Sequence, residues 1–444
     1  MVVVSLVIGI GIFRTPALVA GATRSQGRFL AAWVIGGVTS LVGALVFAEI
    51  GSRYPRAGGY YKVVAHCWHP MVAFLLNWAQ VLMQGAGAAG VAVIGAEYLL
   101  RLMGRGAAPG AGGTGGADGT GGTEPTIIAA VMLGGLVALS AGGIRAGARM
   151  QNVLSFAKIA LIAGLALAGL AFGAGPRPGG VEPVVPPAAQ AGMLTALVAV
   201  FYAYGGYQNT MNLAGDVREA RTKLALGICG GMAIVTALYL AINLAYVRVL
   251  GPQGVAASPL VAADLALAAF GGAGEKFVSL AIFLSAAGFI NATILHVPRG
   301  YLAMAEDRLL PPVLGRLNPR TQAQVPGLIF FAVTALVPLF VLGAFDKLVA
   351  YVMFTDALSL AALASCLFVL RRRAEGGQAG QVWLMPGYPW LPTIFVIVLL
   401  GIAGDVLVHQ TRLALGGAFI IVAGIPLYFV LKRTCSASSI LSNR

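Results

Sequence analysis

The sequence predicts an all-α polytopic membrane protein of about twelve transmembrane helices, and three observations carry that expectation. First, 59% of the 444 residues are hydrophobic and only 10% are charged, against ~25% charged in an average soluble domain. Second, the apolar residues gather into runs of roughly 20, enough to cross ~30 Å of hydrocarbon as helix. Third, strand-length alternation is missing, which excludes a barrel and leaves helices to satisfy the backbone in lipid.

The runs fall in order along the chain. Span 1 covers 2–22, span 2 covers 29–50 and span 3 covers 71–102. Met1 leads straight into apolar residues with no basic n-region and no A-x-A site, so no cleaved signal peptide is expected and the chain starts inside its first span. Spans 4 and 5 (126–142, 153–173) follow a Gly-, Ala- and Thr-rich stretch at 104–125, too poor in apolar bulk to order itself. A Pro-rich connector at 175–187 precedes spans 6, 7 and 8 (191–214, 224–250, 277–305). Spans 9 to 12 cover 327–342, 348–370, 391–408 and 413–431.

Basic residues sit at the span ends. Eighteen of the 29 Lys and Arg fall on the side of the chain termini and nine on the other, leaving Arg14 and Lys158 within spans. Positive charge stays inside, so both termini are expected in the cytoplasm. The formal charge of +14 is not gathered into a stripe, which speaks against nucleic acid. Cys67, Cys229, Cys366 and Cys435 lack metal-ligand spacing. No Ser–His–Asp set, phosphate loop or His/Cys/acid cluster appears, so neither an enzyme, a metal nor a cofactor is expected.

Two spans are interrupted near their middles. Span 1 carries Gly9-Ile10-Gly11-Ile12-Phe13-Arg14-Thr15-Pro16, and span 6 carries Tyr204-Gly205-Gly206-Tyr207. In water a helix interior loses roughly 1 kcal/mol per Gly and ~3 per Pro. Matched interruptions five spans apart point to a transporter site between repeated halves. Unwinding frees amides that can hold a carboxylate and carbonyls that can hold an ammonium group, the pair an α-amino acid presents.

The motifs of span 1 and of Ala203-Tyr204-Gly205-Gly206 are joined by Arg53-Tyr54-Pro55-Arg56-Ala57-Gly58-Gly59-Tyr60-Tyr61, by Arg299-Gly300-Tyr301 through Glu306-Asp307-Arg308, and by Pro386-Gly387-Tyr388-Pro389-Trp390. In this order they resemble the amino acid–polyamine–organocation (APC) permeases, nearest the L-type amino-acid transporter branch. The resemblance implies a 5+5 inverted-repeat, leucine-transporter-like fold plus two C-terminal helices. One five-helix repeat would cover 1–174 and the second 191–343, with helices 10 to 12 at 347–432 and helix 10 completing the second repeat. It also implies that Gly9, Ile10 and Gly11 meet the substrate carboxylate, while Tyr202, Ala203, Tyr204 and Gly205 supply carbonyls and line the side-chain pocket. Ile10 stands where many members carry a small hydroxyl residue, Phe289 where a small residue is common, and Gly215-Asp216-Val217-Arg218-Glu219-Ala220 where a Glu pair usually leads to Asn-Pro.

Lys158 lies about five residues into span 5, and a charge deep in the bilayer costs at least ~2.5–3.5 kcal/mol on insertion scales. Snorkelling toward the interface is one reading. The other comes from the resemblance: its ammonium replaces a sodium ion, bridging carbonyls near Gly9 to Ser285 and Asn291. Arg14 either attracts substrate carboxylates or pairs with a nearby acid or carbonyl. Glu97 and Asp356 are candidate gates; Gln80, Gln84, Gln208 and Asn209 touch substrate or bridge helices; His66 and His69 are interfacial.

The expected function is secondary active transport of α-amino acids across the cytoplasmic membrane by alternating access, as sodium-independent exchange or proton-linked uptake. Neutral substrates are favoured because the pocket stretches offer no acid. The alternatives are a polyamine or cationic amino-acid exchanger, which would need Asp356, and a non-transporting nutrient sensor. The expected partners are the amino acid and the lipid bilayer, and nothing calls for an accessory subunit.

Overall fold

The computed structural model describes residues 7–54, 59–105, 123–142, 148–171, 192–208, 220–306, 310–319, 321, 323–373 and 382–441. Almost all of the tether at 104–125, the connector at 175–187, Asn209 and the 215–219 signature lie outside them. Among the described residues there are thirteen α-helices and no strand. They are α1 (Thr15–Thr23), α2 (Gln26–Arg53), α3 (Gly59–Cys67), α4 (Pro70–Leu102), α5 (Thr123–Ala141) and α6 (Ala148–Ala171). Then come α7 (Met193–Tyr204), α8 (Ala220–Ala257), α9 (Val261–Glu306), α10 (Val325–Leu342), α11 (Phe345–Arg372), α12 (Trp390–His409) and α13 (Thr411–Leu441).

Nine described helices are long and apolar enough to cross a membrane, and the apolar segments Phe156–Ala171 and Met193–Tyr204 are shorter. With the interrupted first span these account for the twelve expected crossings. The lipid-facing side is plainest on α10. Ile329, Val333, Val337 and Val341 recur every fourth residue and are 57%, 52%, 56% and 75% exposed, whereas Leu328, Phe331, Ala335 and Leu339 on the other side are buried. A continuous exposed apolar stripe would be a liability in water. In a bilayer it is the solvated face, and the chain is a multi-pass membrane protein.

Two stretches read as loops are helical. The α3 helix fills part of the link between spans 2 and 3, and spans 7 and 8 run on into helical segments that meet near residue 258. Those extensions bend at Gly251 (φ 71°) and Gly271 (φ 69°). Positive φ is open to glycine without a Cβ clash, so hydropathy ends where the backbone turns and the helix resumes. Span 5 also begins earlier than expected, at Ala148. Lys158 is therefore about 15 Å into its helix at 1.5 Å per residue.

We call the end of the bundle bearing Arg24, Arg101 and Phe345 the upper end, and that bearing Arg53, Pro70 and Arg371 the lower. The α4 helix is the central post, packed by α5, α9, α10, α11 and α13. A Cβ at Gly85 would stand 2.5 Å from the Thr334 carbonyl carbon, so α4 and α10 touch backbone to backbone.

Ion pairs pin both ends. At the top, Arg101 binds Asp264 (2.9 Å) and Glu275, and Ser258 Oγ donates to Asp264 at 2.5 Å, holding the bent 258–275 stretch on α4. At the bottom, the fully buried Glu49 accepts from Arg53 Nε (2.8 Å), from Arg371 Nε and Nη2 (2.8 and 2.6 Å), and from the Met385 amide (2.9 Å). Arg371 also lies 4.0 Å from the Tyr388 ring centroid. One carboxylate thus joins α2, α11 and the segment leading into α12.

Candidate functional site between the two broken helices

The first span is broken where its glycines stand. Ile8, Gly9 and Ile10 are not helical, Gly11–Phe13 is one 3-10 turn, and α1 resumes at Thr15 with Pro16 in its first turn. Proline is tolerated there because that N–H has no intrahelical partner. Among the described residues, the Gly11 and Ile12 amides and the Ile8 and Gly9 carbonyls take part in no backbone hydrogen bond. The Gly11 carbonyl accepts from Thr15 Oγ1 at 2.9 Å, and the Val7 carbonyl from Tyr239 Oη at 3.4 Å.

Span 6 stops at Tyr204. Gly205 (φ −59°, ψ 158°) leaves the helix, and Gly206 at φ 112° turns the chain while its amide donates to Gln208 Oε1 at 3.0 Å. The last turn of α7 therefore presents carbonyls with no intrahelical donor, of which Tyr202's accepts from Gly205 N at 3.3 Å.

The two breaks meet. A Cβ on Gly11 would lie 3.3 Å from Tyr202 Cδ1 and 3.4 Å from Ala203 Cα. Gly9, Tyr202, Gly205 and Gly206 keep partial exposure, while Ile10, Gly11, Ala203 and Tyr204 are buried. The first break thus rests directly on the last turn of α7, whose carbonyl end carries negative partial charge. A surface cleft of about 170 Å³, lined by Ala20, Gly21, Arg24, Pro252, Gln253 and Ala256, lies above and apart from this junction.

A layer of side chains lies above this junction. Arg14 Nε stands 3.2 Å from Glu97 Oε2, and its guanidinium lies 5.9 Å from the Phe345 ring centroid. Phe345 meets Tyr202 edge-on at 5.7 Å, and Tyr98 Oη donates to the Phe13 carbonyl at 3.1 Å. Of the two readings of Arg14, the acid partner is the one present. Arg14→Ala and Glu97→Ala should each lower thermal stability in detergent, and the double variant should lose less than the sum by about 0.5–1 kcal/mol. Strict additivity would show that the contact contributes nothing.

Lys158 is buried, 3% exposed, with Nζ 5.6 Å from the Phe289 ring centroid. Ser285 is buried one turn before Phe289 on α9. Among the described residues Lys158 makes no hydrogen bond to Ser285, Asn291 or the carbonyls near Gly9; its neighbour is the aromatic ring. The sequence reading passed over Glu49 altogether, although an acid inside an apolar span four residues before Arg53 is a legible signal. It also passed over Phe345, Tyr98 and Gly90, which carry no local sign of a role. Gly90 matters because a Cβ there would come 3.2 Å from Tyr202 Oη.

Comparison with known proteins follows the same lines. The family profile described as amino acid permease matches residues 1–430. The serine/threonine exchanger SteT of Bacillus subtilis (strain 168) is 26% identical over 436 residues, 97% of this chain and 94% of that protein. The b(0,+)-type amino acid transporter 1 of Mus musculus is 27% identical, covering 80% of this chain and 70% of its own. The large neutral amino acids transporter small subunit 2 of Rattus norvegicus is 25% identical, covering 97% and 78%.

Proposed function

This chain belongs to the amino acid permease family, and from that premise we propose that it moves neutral α-amino acids across the cytoplasmic membrane by alternating access, with both termini inside. The observation that carries the reading is the meeting of the two breaks: Gly11, whose amide and that of Ile12 take part in no backbone hydrogen bond among the described residues, packs on the last turn of α7. A carboxylate would bind at Gly9, Ile10 and Gly11, and an ammonium group at the carbonyls of Tyr202, Ala203, Tyr204 and Gly205. The interruptions fall in the first helix of each proposed five-helix repeat, 1–174 and 191–343, with α11 completing the second.

The substrate side chain would meet the Tyr202 ring and Phe345. Of the described acids near that level, Glu97 is engaged by Arg14 and Asp346 heads α11 beside Phe345 within electrostatic reach of Glu97; neither is held against Tyr202, so a neutral side chain fits better than a cationic one. Counterflow into proteoliposomes with serine, alanine, leucine, arginine and putrescine as competitors tests this. Inhibition by the neutral amino acids and none by putrescine is the expected result; putrescine as the strongest competitor would overturn it.

Lys158, whose ammonium lies over the Phe289 ring of α9 with Ser285 one turn away on that helix, would stand in for a bound cation in coupling. Uptake is accordingly expected to be unchanged when sodium is replaced by choline. A strict sodium requirement would remove this role from Lys158.

A further inference from the structure

A second intramembrane charge lies below the breaks. The α11 helix has 28 residues and begins at Phe345, so Asp356 is about 16 Å down its axis, near the middle of the bilayer. The neighbouring α4 helix runs antiparallel in matching register. Gly90 approaches Phe345 at the upper level, and ten residues below it Gln80 Nε2 donates to Asp356 Oδ1 at 2.6 Å. Gln80 is 8% exposed and Asp356 partly buried.

Among the described residues, no Lys, Arg or His lies within ion-pair distance of Asp356. The groups facing it are the Gln80 amide on α4 and, within electrostatic reach, the Tyr207 phenol just past the span 6 break. Of the charges near the lower half of α11, Glu49 of α2 binds Arg371, Arg373 at the end of α11 itself donates to the His66 carbonyl of α3, and Asp405 of α12 accepts from Thr195. On α11 itself Tyr351 and Lys347 are more than a turn away. An intramembrane acid without a cation is expensive and usually functional.

The contact with Gln80 tolerates both protonation states. An amide donates to a carboxyl oxygen whether the group is a carboxylate or an acid, so Oδ1 stays held while Oδ2 is left to bind or release a proton. We propose that Asp356 is a proton-binding site of the transport path, positioned by Gln80 and set directly below the amino-acid site. This rests on the permease reading. A proton bound from water at Oδ2 on one side leaves to water on the other, and the acid form carries one charge fewer through the bilayer centre.

The test uses the full chain in proteoliposomes holding a pH dye, with whichever amino acid of the panel gives the largest counterflow. Wild type should accumulate label when the lumen is made one pH unit more alkaline, with lumenal acidification. In Asp356→Asn the ratio of gradient-driven accumulation to counterflow should fall by up to ~10-fold, the full factor one pH unit supplies to a one-proton coupling. Gln80→Leu, which keeps the carboxyl, should shift the pH at half-maximal uptake and so serves if Asp356→Asn does not fold. Robust wild-type counterflow without any response to the gradient would overturn the proposal alone. So would gradient coupling that survives in Asp356→Asn, or in that variant a selective loss of arginine or putrescine flux, which would make Asp356 a site for cationic side chains. Absence of counterflow for every member of the panel would overturn the permease reading and the proposal with it.

Discussion

Replacing Glu49 by alanine is expected to cost the folded protein about 3–5 kcal/mol, the range for removing one partner of a buried ion pair. Its carboxylate is fully buried and takes four hydrogen bonds from three parts of the chain: Arg53, Arg371 through two nitrogens, and the Met385 amide. Without it, the Arg53 and Arg371 guanidinium groups would lose the carboxylate they share in a partly buried space, and the Met385 amide would lose its acceptor. Arg371 would keep the Tyr388 ring and a bond to the Met385 carbonyl at 3.3 Å. Glu49→Gln keeps acceptor oxygen and shape but not charge, so it should fall between alanine and wild type. Monodisperse yield and melting temperature in detergent read the effect. An alanine variant melting within about 2 °C of wild type, less than a single kcal/mol usually shifts a large domain, would show that the network contributes nothing.

Gly11→Val is the second large effect, and here function is lost while the fold is kept. A Cβ at Gly11 would already press on Tyr202 Cδ1 at 3.3 Å and on Ala203 Cα at 3.4 Å. The ring can give a few tenths of an ångström; the Ala203 backbone beside the second break cannot move without displacing the carbonyls proposed to hold the amino group. Two further methyl groups would occupy the space proposed for the substrate carboxylate. Overpacking costs about 1–3 kcal/mol, which at 1.4 kcal/mol per decade is about 5- to 150-fold in affinity. Labelled uptake should fall by about that much, while the same overpacking lowers the melting temperature by only a few degrees. Gly87→Ala is the control, since a Cβ there meets nothing within 4 Å, and uptake should stay within about twofold. Equal uptake by Gly11→Val and wild type would detach the first break from the substrate.

Much of the fold was legible because hydropathy and breakers are local properties. A run of about twenty apolar residues bounded by arginines announces a crossing wherever it stands, and Gly9, Gly11 and Pro16 mark a break without help from neighbours. The bends at Gly251 and Gly271 escaped, because a glycine inside a continuing helical pattern gives no sign that the chain will turn there and resume. Arg14 was readable only as two alternatives, since its partner Glu97 lies 83 residues away.

By itself, then, the sequence determined that the chain lives in lipid, how many times it crosses, and where two of its helices come unwound. Each follows from the transfer energy of side chains and the backbone limits of glycine and proline, which act over a turn or two of helix. Only the tertiary structure decided that Gly11 rests on Tyr202, that Glu49 reaches Arg371 322 residues on, and that Asp356 is held by Gln80 with no cation beside it among the described residues. Those pairings depend on which helices pack together and in what register, because charges and hydrogen bonds act across a few ångströms of space and not along the chain.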